Sequence, residues 1–225
     1  TWNKDDNSPL TEADLRADQV IRSGLEQNFP GVFIWSEESI SENAEKSGEF
    51  FLVDPLDGTK EFLKRNGEFT VNIALIQNGK AVAGVVFAPA LDELYWGSTN
   101  QGAFSQIGQA EPVALNLAKH QPDTILNVIG SRTHGSDEVG TWLQALGVES
   151  NMVAAGSSLK FCRVAQGQAD LYPRFGPTCQ WDTAAGQAVV EAAGGLVVNR
   201  EGVSLQYGLD RPKLNTDFIV VCNTA

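Results

Sequence analysis

Residues 69–77 alternate cleanly, with Thr70, Asn72 and Ala74 on one side and Val71, Ile73 and Leu75 on the other, and Asn78-Gly79 behind them signals a two-residue hairpin turn. Residues 81–87 read as the return strand and 93–97 as a third, so the first half carries an antiparallel sheet. Upstream, the apolar run Phe51-Leu52-Val53 reads as a buried strand that ends in Asp54, turns over residues 55–58 and restarts as a short helix at Thr59. A strand over 32–35 precedes it. Ahead of that, Ser8-Pro9-Leu10-Thr11 leads into a helix over 12–27, with Thr11 as N-cap and Leu15, Val20, Ile21 and Leu25 turned inward. Residues 40–49, rich in Ser, Glu and Lys, read as a mobile loop. Residues 101–120 are polar and weakly periodic, and no element is assigned there.

The second half changes rhythm. Strands over 124–130, 149–154, 169–172, 195–199 and 218–223 alternate with helices over 136–146, 157–166 and 182–193. The whole reads as α/β (α+β layered) in two lobes: 1–120 around the antiparallel sheet, and 121–225 as mixed α/β, with the boundary near 119–123.

Charge narrows the partners. The net charge is −12 with 16 Lys and Arg among 225 residues, so no polybasic face exists to track nucleic acid or anionic lipid. A small anionic substrate then needs locally placed cations. Cys162, Cys179 and Cys222 have neither a CxxC spacing nor a disulfide framework and read as reduced thiols of a cytoplasmic protein, free or peripheral at the inner face of the cell membrane. No apolar run approaches the ~20 residues of a membrane helix. The polar stretch from Thr1 to Asp6 runs into the first helix without an initiator Met, so a preceding segment is expected.

The chemistry concentrates at Asp54-Pro55-Leu56-Asp57-Gly58-Thr59. Two carboxylates three residues apart repel unless a cation or a shared proton relieves them, and hard oxygen ligands suit Mg²⁺. The N–H groups of Gly58 and Thr59 open a helix and suit a phosphate oxygen. The same hexapeptide also serves as a surface turn that caps a helix, and the rest of the chain decides between the two readings. Glu37-Glu38 follows a strand, Asp14 sits in the first turn of a helix, and Asp182 starts another at Trp181-Asp182-Thr183-Ala184-Ala185-Gly186. Gly156-Ser157-Ser158-Leu159-Lys160 offers N–H groups, hydroxyls and a cation at a strand-to-helix turn; Arg174 and His134 lie on loops.

Glu37, the Asp54–Thr59 motif and the Trp181–Gly186 motif, the last two ~120 residues apart, together resemble the signatures of the inositol monophosphatase family of lithium-sensitive, Mg²⁺-dependent phosphatases. Asp57-Gly58-Thr59-Lys60-Glu61-Phe62, residues 65–74, residues 156–162 and Tyr172-Pro173-Arg174 resemble its CysQ-type 3'(2'),5'-bisphosphate nucleotidase branch. The resemblance covers nearly the whole chain. It implies the two-lobed sugar-phosphatase fold, hydrolysis of 3'-phosphoadenosine 5'-phosphate to AMP and phosphate, and a role in sulfate assimilation. It implies metal ligation by Glu37, Asp54, Asp57, Asp182 and the Leu56 carbonyl, and water activation by Asp14 and Thr59. Gly58 and Thr59 N–H groups are then expected on the scissile phosphate, and Ser157, Lys160 and Arg174 on the ribose and second phosphate. His134 is expected near the base and Asp182 beside the substrate. The family also carries a helix before the region of Lys4 that this sequence lacks. An inositol phosphate or sugar-phosphate phosphatase, and a phosphonucleotide sensor that does not hydrolyse, are the competing readings. The sequence leaves monomer and homodimer open.

Overall fold

The computed structural model describes residues 2–3, 9–39, 48–117, 125–131 and 136–222. A short antiparallel pair, β1 (Trp2–Asn3) and β2 (Pro9–Leu10), precedes α1 (Glu12–Asn28). Thr11 caps that helix: its hydroxyl accepts from Ala13 N at 3.1 Å, while Asp14 Oδ2 accepts from Thr11 N at 2.8 Å. The face of α1 differs from expectation. Ile21 and Leu25 pack on Ile34, Phe51 and Val53, whereas Leu15 and Val20 are 43% and 73% exposed. The buried positions of the helix are Asp14 and Asp18, because its first turns point at polar partners. Asp18 accepts a hydrogen bond from Ser36 Oγ, and Asp14 sits in the capping box.

The large sheet runs β3 (Phe33–Ser36), β4 (Glu49–Asp57), β5 (Thr70–Gln77), β6 (Lys80–Ala88), β7 (Glu93–Ser98), β8 (Gly102–Ile107) and β9 (Val113–Leu115) in sequence order, with α2 (Thr59–Lys64) between β4 and β5. Every neighbouring pair is antiparallel except β3 with β4, which is parallel, so the antiparallel sheet expected from the hairpin strands holds and gains a parallel edge strand. The strands β8 and β9 fall where no element was expected. Only Ala103 and Ser105 of β8 are buried, so a strand wet on one side gave a weak pattern. The stretch around Pro55 also differs: β4 continues through Asp57, and the register against β5 slips between Asp54 and Asp57. A bulge tolerates Pro55, which has no N–H to give to a ladder, and leaves only Gly58, at φ 90°, to make the turn.

The second sheet holds β10 (Leu126–Gly130), β11 (Ser150–Ala154), β12 (Leu171–Arg174), β13 (Leu196–Asn199) and β14 (Phe218–Val221) in the order β11-β10-β12-β14-β13. The first three are parallel and the last two antiparallel, joined through α3 (Ser136–Ala145), α4 (Leu159–Ala165) and α5 (Gln180–Ala193). The mixed α/β reading of this half holds. The loop expected over 40–49 and the boundary expected near 119–123 lie largely or wholly outside the described residues.

Helix α5 sets the position of the site. Its small face, Ala185 and Ala188, lies against the large sheet at Gly84, where a Cβ would come within 2.4 Å of the Ala185 carbonyl. Trp181 at its start packs edge-on against Trp35 of β3, ring centroids 5.9 Å apart. One contiguous buried cluster runs from Trp35 and Leu52 through Phe161 and α5 to Val220, so the two sheets share a core. This packing presses the N-terminus of α5 against the C-terminal end of β4. Among the described residues no helix is long and apolar enough to cross a membrane.

Candidate active site

The bulge in β4 turns two acids to the same side. Asp54 is 1% exposed, and its Oδ1 accepts from Leu56 N at 3.0 Å. Asp182, in the first turn of α5, is held by a bond from Cys179 N to Oδ2 at 2.7 Å, the carboxylate half of a capping box. Carboxylate oxygens of Asp54, Asp57 and Asp182 lie within 4.8 Å of one another. Glu37 joins them electrostatically. Its N–H bonds to Val53 O at 3.0 Å, which fixes the end of β3 beside Asp54.

Burial, then the charges of Glu37, Asp57 and Asp182, push the Asp54 carboxyl well above its usual range. Asp182 is pushed up to about 8 by burial, Asp57 and Glu37, against the Cys179 N–H and Arg174, which pull it down. Among the described residues no Lys or Arg forms an ion pair with any of the three aspartates. Buried and half-buried carboxylates that crowd without an ion-pair partner among the described residues form a hard-oxygen donor set for a divalent cation, and the residues fit Mg²⁺.

Asp14 and Thr59 meet although 45 residues apart: Thr59 Oγ1 donates toward Asp14 Oδ1 at 3.4 Å, with the Leu56 carbonyl at 3.5 Å as its other acceptor. Thr11 Oγ1 and N secure the opposite oxygen of Asp14 at 2.6 and 2.8 Å. The acid is therefore held in place from the side away from Thr59.

Across a cleft of about 200 Å³ from Asp57 and Gly58 stand Ser157, Lys160 and Arg174. Ser157 has φ 45°, which stops α4 from starting there, and its buried Oγ has no hydrogen-bond partner. Arg174 Nε is likewise buried and unpartnered, while its Nη2 donates to Pro177 O at 3.1 Å. Lys160 Nζ donates to Ser157 O at 2.6 Å; burial lowers it to about 8, Asp57 working against that and Arg174 with it. Unsatisfied buried donors around a cleft mark where a polar ligand completes them. His134 lies outside the described residues.

Two residues at the cluster went unread in the sequence. Asp57 Oδ2 accepts from Ser158 Oγ at 2.8 Å, and Asn72 Nδ2 donates to that same hydroxyl at 2.9 Å. The polar side of the alternating strand was visible, with Thr70 and Asn72 on it, but nothing in the pattern said that it faces a carboxylate.

The sequence profile of the inositol monophosphatase family matches residues 2–223. The 3'(2'),5'-bisphosphate nucleotidase CysQ of Salmonella typhimurium is 47% identical over 219 residues, 96% of this chain and 87% of that protein. The crystal structure of CysQ from Bacteroides thetaiotaomicron superposes with a TM-score of 0.82 at 38% identity, covering 99% of this chain and 88% of the other. A Thermotoga maritima IMPase gives a TM-score of 0.76 at 26% identity, over 95% and 78% of the two chains. With the profile spanning the chain and the fold shared throughout, this protein belongs to the inositol monophosphatase family.

Proposed function

We propose that the protein is a Mg²⁺-dependent 3'(2'),5'-bisphosphate nucleotidase that hydrolyses 3'-phosphoadenosine 5'-phosphate to AMP and phosphate. The reading serves nucleotide recycling in sulfate assimilation and carries sensitivity to Li⁺. The observation that carries it is the meeting of buried Asp54 with half-buried Asp57 and Asp182, the latter two facing Ser157, Lys160 and Arg174 across one cleft. The similarity to the nucleotidases named CysQ supports the substrate class.

Glu37, Asp54, Asp57, Asp182 and the Leu56 carbonyl are the residues that would hold Mg²⁺. Bound there, the ion supplies charge neutralisation for the phosphate and makes a water acidic enough to attack near neutral pH. The chain's own groups do the rest. Thr59 Oγ1 accepts a proton from the attacking water and passes its own to Asp14 Oδ1. The N–H groups of Gly58 and Thr59 hold the scissile phosphate for in-line displacement, in which the water oxygen bonds to phosphorus as the bond to the ribose 3'-oxygen breaks; that oxygen takes up a proton from solvent water, and Asp14 returns its own to solvent. Lys160, Arg174 and Ser157 take the ribose and the 5'-phosphate. His134 is assigned to the base by resemblance.

A phosphate-release assay tests the reading with three substrates: the bisphosphate nucleotide, inositol 1-phosphate and fructose 1,6-bisphosphate. The nucleotide is expected to give the highest kcat/KM, and only with Mg²⁺. A preference for inositol 1-phosphate would reassign the substrate, and inactivity on all three would leave a binding protein.

A further inference from the structure

Ser158 occupies the N-cap of α4, a position serine usually holds in order to cap, yet its hydroxyl makes no capping bond. The side chain, 1% exposed, turns into the carboxylate cluster instead. Its Oγ lies 2.8 Å from Asp57 Oδ2 and 2.8 Å from the Asp182 carbonyl, and accepts from Asn72 Nδ2 at 2.9 Å. A hydroxyl carries one proton, so it donates to one of the two acceptors at a time. Asn72, also 1% exposed, reaches Asp57 Oδ2 at 3.4 Å, as does Thr70 Oγ1. All three donors converge on Oδ2, while Oδ1 accepts no hydrogen bond among the described residues. The bond from Ser158 is the short one. It reaches Asp57 from 101 residues further along the chain, and the same hydroxyl touches the segment that carries Asp182.

We propose that Ser158, backed by Asn72, is the positioning residue of the metal site, aiming the Asp57 carboxylate and tying it to the first turn of α5; this rests on the Mg²⁺ reading above. A ligating carboxylate that is free to rotate must be ordered when the ion binds, and one already held on a single oxygen presents the other without that cost. Ser157 has a different task. Its unpartnered hydroxyl lines the substrate cleft and makes no bond to the aspartates.

Calorimetric titration of the full chain with MgCl₂ alone, without nucleotide, tests the assignment, with thermal unfolding in EDTA recorded for each variant. Ser158→Ala is expected to weaken Mg²⁺ binding about 10–100-fold while unfolding cooperatively in EDTA. Asn72→Ala weakens it by a smaller factor, and Ser158→Thr, which keeps the hydroxyl, recovers most of the affinity. Ser157→Ala binds Mg²⁺ as the parent does and raises KM for the nucleotide. Unchanged Mg²⁺ affinity in a folded Ser158→Ala protein would overturn the proposal. Should that variant not fold, unchanged affinity in Asn72→Ala would overturn it equally. Failure of the unsubstituted protein to bind Mg²⁺ would instead remove the metal site itself, and this proposal with it.

Discussion

The two ends of α4 each meet a group of buried and half-buried acidic and polar side chains, and the groups are built on opposite plans. At the C-terminal end, Arg163 pairs with Glu93 at 2.8 Å and donates to Tyr95 Oη at 2.6 Å, while Tyr95 donates to Glu93 at 2.7 Å. Every charge there has its complement. At the N-terminal end, Asp54, Asp57 and Asp182 crowd together with no ion-pair partner among the described residues, and burial drives Asp54 and Asp182 upward. The first group joins sheet to helix. The second weakens the metal-free fold and is tolerated because a cation from outside completes it. The same buried acid is structural or functional according to whether the chain supplies the counter-charge.

The contrast is broken most directly by exchanging the costs. Asp57→Asn is expected to cut kcat by at least ~100-fold, more than the loss of an outer-shell partner, while raising metal-free stability at pH 8 by about 1–2 kcal/mol through relief of repulsion. Arg163→Met should do the reverse. It strands Glu93 and lowers stability by about 2–3 kcal/mol, reduced from the fully buried case because the two side chains are 21% and 15% exposed, yet leaves Mg²⁺ affinity alone. Thermal unfolding in EDTA, paired with phosphate release, reads both. Equal destabilisation by the two substitutions would erase the distinction.

Metal and pH sharpen it further. A carboxyl raised in the folded state, as Asp182 is from 3.8 to about 8, contributes nothing adverse at acid pH and costs stability as pH climbs between those values. In EDTA the protein is therefore less stable at pH 8.5 than at pH 5.5 on this account, and Mg²⁺ raises Tm more at pH 8.5. The Glu93–Arg163 pair predicts no such dependence on Mg²⁺. A Tm increment from Mg²⁺ that is the same at both pH values would contradict the picture of the cluster as strained.

Smaller effects belong to the substrate wall. Arg174→Ala is expected to raise KM about tenfold for the bisphosphate nucleotide and less for a monophosphate, about the worth of one charge-assisted hydrogen bond. Lys160, lowered to about 8, loses its charge as pH passes that value, so KM for the nucleotide rises above pH 8. An equal rise for both substrates on loss of Arg174 would take the second phosphate away from it.

Much of this was legible in the sequence, for definite reasons. The hairpin at Asn78-Gly79 needs positive φ at both residues, and both have it, at 51° and 80°. Asp54 and Asp57 stood out because local repulsion shows in the spacing itself. Other features depend on packing that no short stretch contains. Leu15 and Val20 look like an inward face of α1, but Asp14, held by Thr11, and Asp18, held by Ser36, turn inside instead. Strand β8 hides because it buries only a small and a polar residue, Ala103 and Ser105. Ser158 reads as a helix cap until α5 and β4 are brought together around it, and Asn72 as one polar residue of an alternating strand.

The central claim is that acids from β4 and α5 form one divalent-cation site. Anomalous diffraction from crystals soaked in Mn²⁺, a scattering substitute for Mg²⁺, tests it at atomic resolution. The account predicts a peak in contact with Asp54, Asp57 and Asp182 together, lost in Asp57→Asn crystals. Mn²⁺ bound elsewhere, with this cluster empty in crystals whose protein is active with Mn²⁺, would contradict it.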